Sequence, residues 1–356
     1  MAKKLALIGY GGMADWHCTD LKKNVPEIDV IGAYDVRPEA MEKAVNDGLH
    51  AYNSMEELLS DPQIDLVLIA TPNDVHKDIS IAALRAGKNV VCEKPITMNA
   101  AELEEIIAVK NESGKLFSIH HNRRWDRDFL TVRKMLDENV IGTPYYIESR
   151  VQGSRRAMHG WRSYAINGGG MVLDWGSHLL DQLLLLINSP VISVDAHVIK
   201  VFSDEVDDNF KAFLQFESGV SALIDVATNC FELQPRWHVS CEDGTAIIHD
   251  WSCNGEIKEL ISSEAMEWED EIVYTAAGPT RMMAPRPEYT VGTKALPEVK
   301  DGDYGYCNSP YFDNIVKVLD GKAELQVTAE QALRSMKLVD LIFKCGKQGH
   351  GESCRI

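Results

Sequence analysis

The chain has 356 residues, 45% of them apolar and 25% charged, which excludes a disordered, collagen-like or single-motif protein. With 36 basic against 54 acidic residues its formal charge is −18, a balance that argues against a nucleic-acid groove or an anionic membrane surface as partner. A length of this order predicts about two domains.

No apolar stretch approaches a membrane span, and the Leu5–Ile8 run after Met-Ala-Lys-Lys is too short for a signal-peptide core. The eight cysteines are scattered, with no CxxC pair. These features predict a chain of the reduced cytoplasm.

Through the first 120 residues, β-branched runs alternate with helical patterns, the signature of a doubly wound parallel sheet. Strands are predicted at Lys4–Ile8, Val30–Tyr34, Leu66–Ala70, Asn89–Cys92 and Leu116–His120. Between them, Ile79, Ala82, Ala83 and Ala86 form one helical stripe closed by Gly87. Leu103, Ile106 and Ile107 form another, capped by Asn99 with Glu102 in the capping-box position and terminated by Gly114. Beyond Gly142 the pattern turns to longer strands: Tyr145–Val151, Val191–Val201, Asn209–Phe216, Val220–Ala227 and Trp237–Cys241. These predict an α+β domain with a large open, mostly antiparallel sheet, whose uncovered face suits pairing into a homodimer or higher homo-oligomer. Gly168-Gly-Gly170 is expected to launch a helix over Met171–Ile187, and Ala276–Asp303 to form a long loop. Two more helices are predicted around Tyr311–Leu319 and Ala329–Phe343.

The chemistry-bearing residues begin at Gly9-Tyr10-Gly11-Gly12-Met13-Ala14, between a strand and a helix. There the first glycine makes a tight turn, the second admits a pyrophosphate against the backbone, and the small last residue lets helix and strand pack. The helix N-terminus adds unpaired N–H groups. Asp35 stands at the end of the second strand, where an acid hydrogen-bonds ribose hydroxyls and repels a 2′-phosphate. This favours NAD, while Arg37 leaves NADP open. Thr71, Asn73 and His76 follow the third predicted strand at its carboxyl end, where such sheets bind ligands; they suit cofactor contacts or helix caps. Glu93-Lys94-Pro95 follows the next strand, so Lys94 points toward the same crevice as a proton donor or relay.

The helix over Met171–Ile187 is apolar nearly all round, yet Asp174, His178 and Asp181 share one side of it. Buried charge demands partners or a polar cavity. Asp174 and His178, four residues apart, can hydrogen-bond so that the carboxylate raises the basicity of the ring. No further ligands suggest a metal there. Arg124, His159, Trp161 and Arg162, on loops between the two domains, suit a hydroxyl-rich ligand or a solvated basic face.

Taken together, these motifs resemble the Gfo/Idh/MocA family of nicotinamide-dependent oxidoreductases over essentially the whole chain. The resemblance implies a dinucleotide-binding Rossmann domain over residues 1–121 and a substrate-binding and oligomerisation domain over 122–356. It implies Lys94, Asp174 and His178 as the catalytic set, with hydride leaving a carbinol carbon while His178 or Lys94 takes the hydroxyl proton. It further implies a sugar, glycoside or cyclitol substrate, including oxidation at carbon 3 of a glucoside. Two alternatives stay open: a glycosidase that recycles bound NAD through oxidation and elimination, and a non-catalytic NAD-binding regulator.

Overall fold

The computed structural model describes residues 2–156, 158–263, 271–281, 289–299 and 309–356. Its first half alternates strands and helices: β1 (Lys3–Ile8), α1 (Gly12–Asn24), β2 (Ile28–Tyr34), α2 (Pro38–Asn46), β3 (His50–Ala51), α3 (Met55–Ser60), β4 (Leu66–Ile69), α4 (His76–Arg85), β5 (Asn89–Cys92), α5 (Ala100–Ser113) and β6 (Phe117–Ile119). The six strands pair in parallel in the order β3-β2-β1-β4-β5-β6. Leu5–Ile8 and Leu66–Ile69 are buried along their whole length, as central strands covered on both faces must be. Asn99 caps α5 by accepting the Glu102 amide, and Gly114 ends it at φ +63°. The buried stripes are shifted from the expected ones. Val109 completes that of α5 in place of the half-buried Ile107, and Ala86 lies exposed past the end of α4.

The second half contains α6 (Arg127–Asp137), β7 (Pro144–Gln152), α7 (Ser177–Leu186), β8 (Val191–Ile199), β9 (Asn209–Phe216), β10 (Ser221–Ala227), β11 (Trp237–Cys241), β12 (Gly244–Ile248), β13 (Gly255–Ser263), β14 (Ile272–Thr275), β15 (Gly278–Arg281), β16 (Tyr289–Lys294), α8 (Ser309–Leu319), α9 (Ala329–Gln348) and β17 (Glu352–Ser353). Nine of these strands form one sheet, ordered β16-β13-β12-β11-β7-β10-β9-β8-β17, antiparallel except for the β7–β10 pair. One face packs on α7 and α9; the other leaves Phe213 and its neighbours uncovered. The expected loop at Ala276–Asp303 instead holds β15 and β16, because Tyr289–Lys294 finds hydrogen-bond partners along the edge of β13. The rest of that loop lies partly, and Cys307 wholly, outside the described residues. No helix among the described residues is long and apolar enough to cross a membrane.

The helix expected from Met171 does not start as an α-helix. Val172–Gly176 forms one π-helical turn before α7 begins at Ser177. A wide turn of this kind displaces side chains from ordinary α-helical alignment, and such turns recur at functional sites.

Candidate active site

At the carboxyl end of the parallel sheet lies a cavity of about 1260 Å³ that runs from Asp35 and Arg37 at one end to Asp174 and His178 at the other. Gly9, Gly11, Gly12 and Met13 line its first part. Gly9 sits at φ +86°, and a Cβ there would meet the Ala70 carbonyl oxygen at 2.8 Å. Gly12 has open space around it, and α1 begins without a side-chain cap. Unblocked N–H groups thus face the cavity. Asp35 completes this end. One carboxylate oxygen accepts the Tyr10 amide at 2.7 Å; Arg37 binds both oxygens through its side chain, at 3.0 and 2.9 Å. Against the cost of burial, these bonds hold the Asp35 carboxyl below its usual range. The buried Thr71 hydroxyl, on the cavity wall, has no hydrogen-bond partner among the described residues. A glycine cradle, an open helix end, an acid at the tip of β2 and an unspent hydroxyl fit a dinucleotide.

At the other end, Lys94 reaches 80 residues along the chain to Asp174, with Nζ 2.6 Å from one carboxylate oxygen. Arg162 Nε approaches the second oxygen at 3.2 Å. Burial opposes ionisation of Asp174, but the two cations and their hydrogen bonds bring its carboxyl below the ordinary value. His178 lies beside them, buried, and its Nδ1 has no hydrogen-bond partner among the described residues. The expected Asp174–His178 hydrogen bond is absent among the described residues, because Lys94 and Arg162 engage the two carboxylate oxygens. The basicity of the imidazole moves the opposite way to expectation. Burial, reinforced by Lys94 and Arg123, holds its pKa well below 6.5.

Several other expected contacts lie away from the cavity wall. Tyr10 turns its ring into the core and donates its hydroxyl to Asp47 at 2.7 Å, serving the site through the backbone bond that orients Asp35. His76 is fully buried between the Pro95 and Thr71 carbonyls, at 3.0 and 2.9 Å. Asn73 is buried and donates to the Gly168 carbonyl. Arg124 forms a two-pronged pair with Asp181, at 2.7 and 2.6 Å, which neutralises that carboxylate inside the core. His159 is exposed and does not line the cavity, whereas Trp161 and Arg162 do.

Arg123, in the basic Asn122–Trp125 segment where Arg124 was the residue singled out, borders the cavity, as does Trp175, which no expectation named. Arg123 pairs with Asp126 at 2.8 Å and stacks over Trp175, 4.4 Å from the ring centroid. The spacing of Arg123 and Asp126 was the available signal, since a residue with a built-in partner three positions on is held in place. Glu93 also borders the cavity, where one oxygen meets His17 Nε2 at 2.6 Å and His120 Nδ1 at 3.0 Å. These three buried groups are the one potential metal-ligand set among the described residues, and their donor atoms already hydrogen-bond to each other.

Burial makes the fold sensitive to acid. His17, His76, His121 and His178 all sit below 6.5 because their surroundings disfavour the imidazolium, His121 down to about 4. The unfolded chain binds protons there and the folded chain does not, so stability is kept above pH 6.5 and lost as pH falls below it. Asp126 and Asp207, raised to about 6 by burial, act in the opposite sense. Glu93, Asp174 and Asp181, held below their usual range, add to the acid loss at lower pH, so the slope of stability is expected to run downward from about pH 6.5. Urea unfolding between about pH 7 and pH 5 should show this slope, shallower in His121→Phe.

Residues 3–121 match the model of the oxidoreductase family with an NAD-binding Rossmann fold, and residues 129–247 match that of the GFO/IDH/MocA C-terminal domain. The chain belongs to the GFO/IDH/MocA family. Among relatives, the uncharacterized oxidoreductase YdgJ of Escherichia coli K12 is 30% identical over 348 residues, covering 97% of this chain and 96% of its own. The scyllo-inositol 2-dehydrogenase (NADP(+)) IolW of Bacillus subtilis is 27% identical over 361 residues, covering 97% and 94%. The crystal structure of an NAD-binding protein from Listeria innocua superposes with a TM-score of 0.86 at 39% identity, covering 99% of this chain and 97% of that one. This member of the GFO/IDH/MocA family is therefore an NAD(P)-dependent oxidoreductase acting on CH–OH groups, with an NAD-binding Rossmann domain at its N-terminus.

Proposed function

We propose that the enzyme oxidises a secondary alcohol of a cyclitol, sugar or glycoside, with NAD as cofactor and Lys94, Asp174 and His178 as its catalytic set. The observation that carries this reading is the Lys94–Asp174 pair beside His178, in the same cavity as the glycine turn and Asp35. Bound NAD supplies the hydride acceptor. His178, neutral at physiological pH, is the proton acceptor for the substrate hydroxyl. Lys94 presents its ammonium to the oxygen as negative charge develops, and Asp174 with Arg162 keeps that ammonium in place. The cavity wall around them offers Trp161 and Trp175 as flat apolar surfaces and Arg162 as a hydrogen-bond donor, a combination suited to a ring with one C–H face and several hydroxyls. The Bacillus subtilis relative is named for an inositol, which is of this class.

The preference for NAD rests on Asp35, with Glu56, Asp74 and Asp78 lining the same cavity against a 2′-phosphate. Asp35→Ala is expected to weaken NADH binding about tenfold and to narrow the gap to NADPH, read by fluorescence titration with both. The residue ranges 1–121 and 122–356 remain our division into cofactor and substrate domains, and the uncovered face of the nine-stranded sheet our proposed homo-oligomer surface. A panel of inositols, free sugars and pyranosides with NAD and NADP tests the main reading. Reduction of NAD by at least one cyclic polyol is expected. Turnover of small ketones alone would overturn it, and sugar release without net NADH would favour internal recycling of the cofactor.

A further inference from the structure

The triple glycine Gly168–Gly170 does more than precede a helix. A Cβ on Gly168 would meet Met98 Sδ at 2.6 Å; on Gly169, the Arg162 carbonyl oxygen at 2.3 Å; on Gly170, Asp207 Oδ1 at 2.3 Å. Each position therefore touches a different part of the molecule too closely for a side chain. The Gly170 peptide holds both members of an ion pair at the substrate end. Its N–H donates to the Arg162 carbonyl at 3.1 Å, and its carbonyl accepts the Asp174 N–H at 3.1 Å. Gly169 N–H closes the same segment onto the Tyr164 carbonyl at 3.0 Å. Gly168, two residues before this peptide, is tied across the cleft: its carbonyl accepts the Asn73 side-chain amide at 2.9 Å, a buried bond spanning 95 positions. A second bond, from Asn167 Nδ2 to Asp74 Oδ1 at 3.1 Å, runs beside it at the surface.

We propose that Asn73 is a positioning residue that couples the cofactor loop to the substrate end of the site, acting through Gly168–Gly170 on Arg162 and Asp174. On one side of the bond lie Thr71, Pro72 and Asp74, which line the cavity near the glycine turn; on the other lie Arg162 and Asp174. A cofactor that orders the first group orders the second through a buried, direct hydrogen bond between them. Asn73 thereby has a role other than the cofactor contact expected of it, and the glycines form the junction that carries its effect. The inference rests on the proposed function for the placement of NADH but needs no substrate for its test.

The test is amide hydrogen exchange with and without NADH. In the unaltered enzyme, NADH is expected to slow exchange at residues 9–14 and, by about fivefold or more, at residues 162–170. In Asn73→Ala, where among the described residues only the exposed Asn167–Asp74 bond still joins the two loops, the protection of 162–170 is expected to fall to less than about half while that of 9–14 persists. Asn73→Ser, which keeps a small polar group but is too short to bridge to Gly168, is measured in parallel so that poor folding of one variant does not decide the result. Protection of 162–170 that stays above about half in a folded variant, or its absence from the unaltered enzyme, overturns the coupling. Failure of NADH to protect residues 9–14 at all would instead overturn the proposed cofactor site.

Discussion

Lys94→Ala is expected to lower kcat for polyol oxidation by about 10²–10⁴-fold while NADH affinity changes by less than about threefold. The ammonium lies 2.6 Å from Asp174, in a wall where burial keeps water from substituting for it. Its charge matters most when the substrate oxygen becomes negative, so its removal acts on the transition state more than on ground-state binding. The Asp174 side chain, 11% exposed, would retain Arg162 as its cation, which keeps the fold while the oxygen clamp is lost. Lys94→Arg is not expected to restore the rate, because a planar guanidinium cannot occupy the same point-like position. Steady-state kinetics beside NADH fluorescence titration separates the two parameters. Unchanged kcat in a folded Lys94→Ala enzyme would remove the centre of the proposed mechanism.

His178→Asn should produce a loss of similar size, about 10²–10⁴-fold in kcat, together with a changed pH profile. A proton acceptor works only in its neutral form. Because burial and the nearby Lys94 and Arg123 cations hold the imidazole pKa well below 6.5, oxidation by the unaltered enzyme should stay level through neutral pH and fall only in acid. The reverse reduction needs the protonated ring and should therefore speed up as pH is lowered, until the acid loss of stability intervenes. In His178→Asn the residual activity should lack the acid limb. A kcat/KM profile for the unaltered enzyme that turns down at or above pH 6.5 would assign the limb to another group.

The cofactor end of the site was largely legible from residues 9–35, and the reason is local. Gly9 at positive φ, the unblocked turn at Gly11 and Gly12, and the small, buried Ala14 in the first turn of the helix are all requirements of a single strand–turn–helix unit. The caps at Asn99 and Gly114 were readable for the same cause. The substrate end was harder. Asp174 and His178 were identified as polar residues that a greasy helix could not bury alone, which is a sound argument from solvation. Their mutual pairing was expected from their spacing alone, and two cations distant in sequence, Lys94 and Arg162, take the carboxylate instead. Arg124 and Arg123 stand side by side in sequence; the local Asp126 partner marks Arg123 as held in place, but nothing local says that Arg124 turns inward to Asp181.

From the amino-acid order alone come the alternation of strands and helices, the dinucleotide turn, the position of Lys94 at a strand tip and the need of Asp174 and Asp181 for partners. Each is set by contacts within a few residues, or by the cost of placing a charge in an apolar surface. Which cation answers which carboxylate was decided only by the folded chain. Lys94 meets Asp174 across 80 positions, Arg124 meets Asp181 across 57, and Asn73 meets Gly168 across 95. Such choices depend on which side chains arrive within hydrogen-bond reach when two sheets and their helices pack, and no period or spacing in the sequence records that distance.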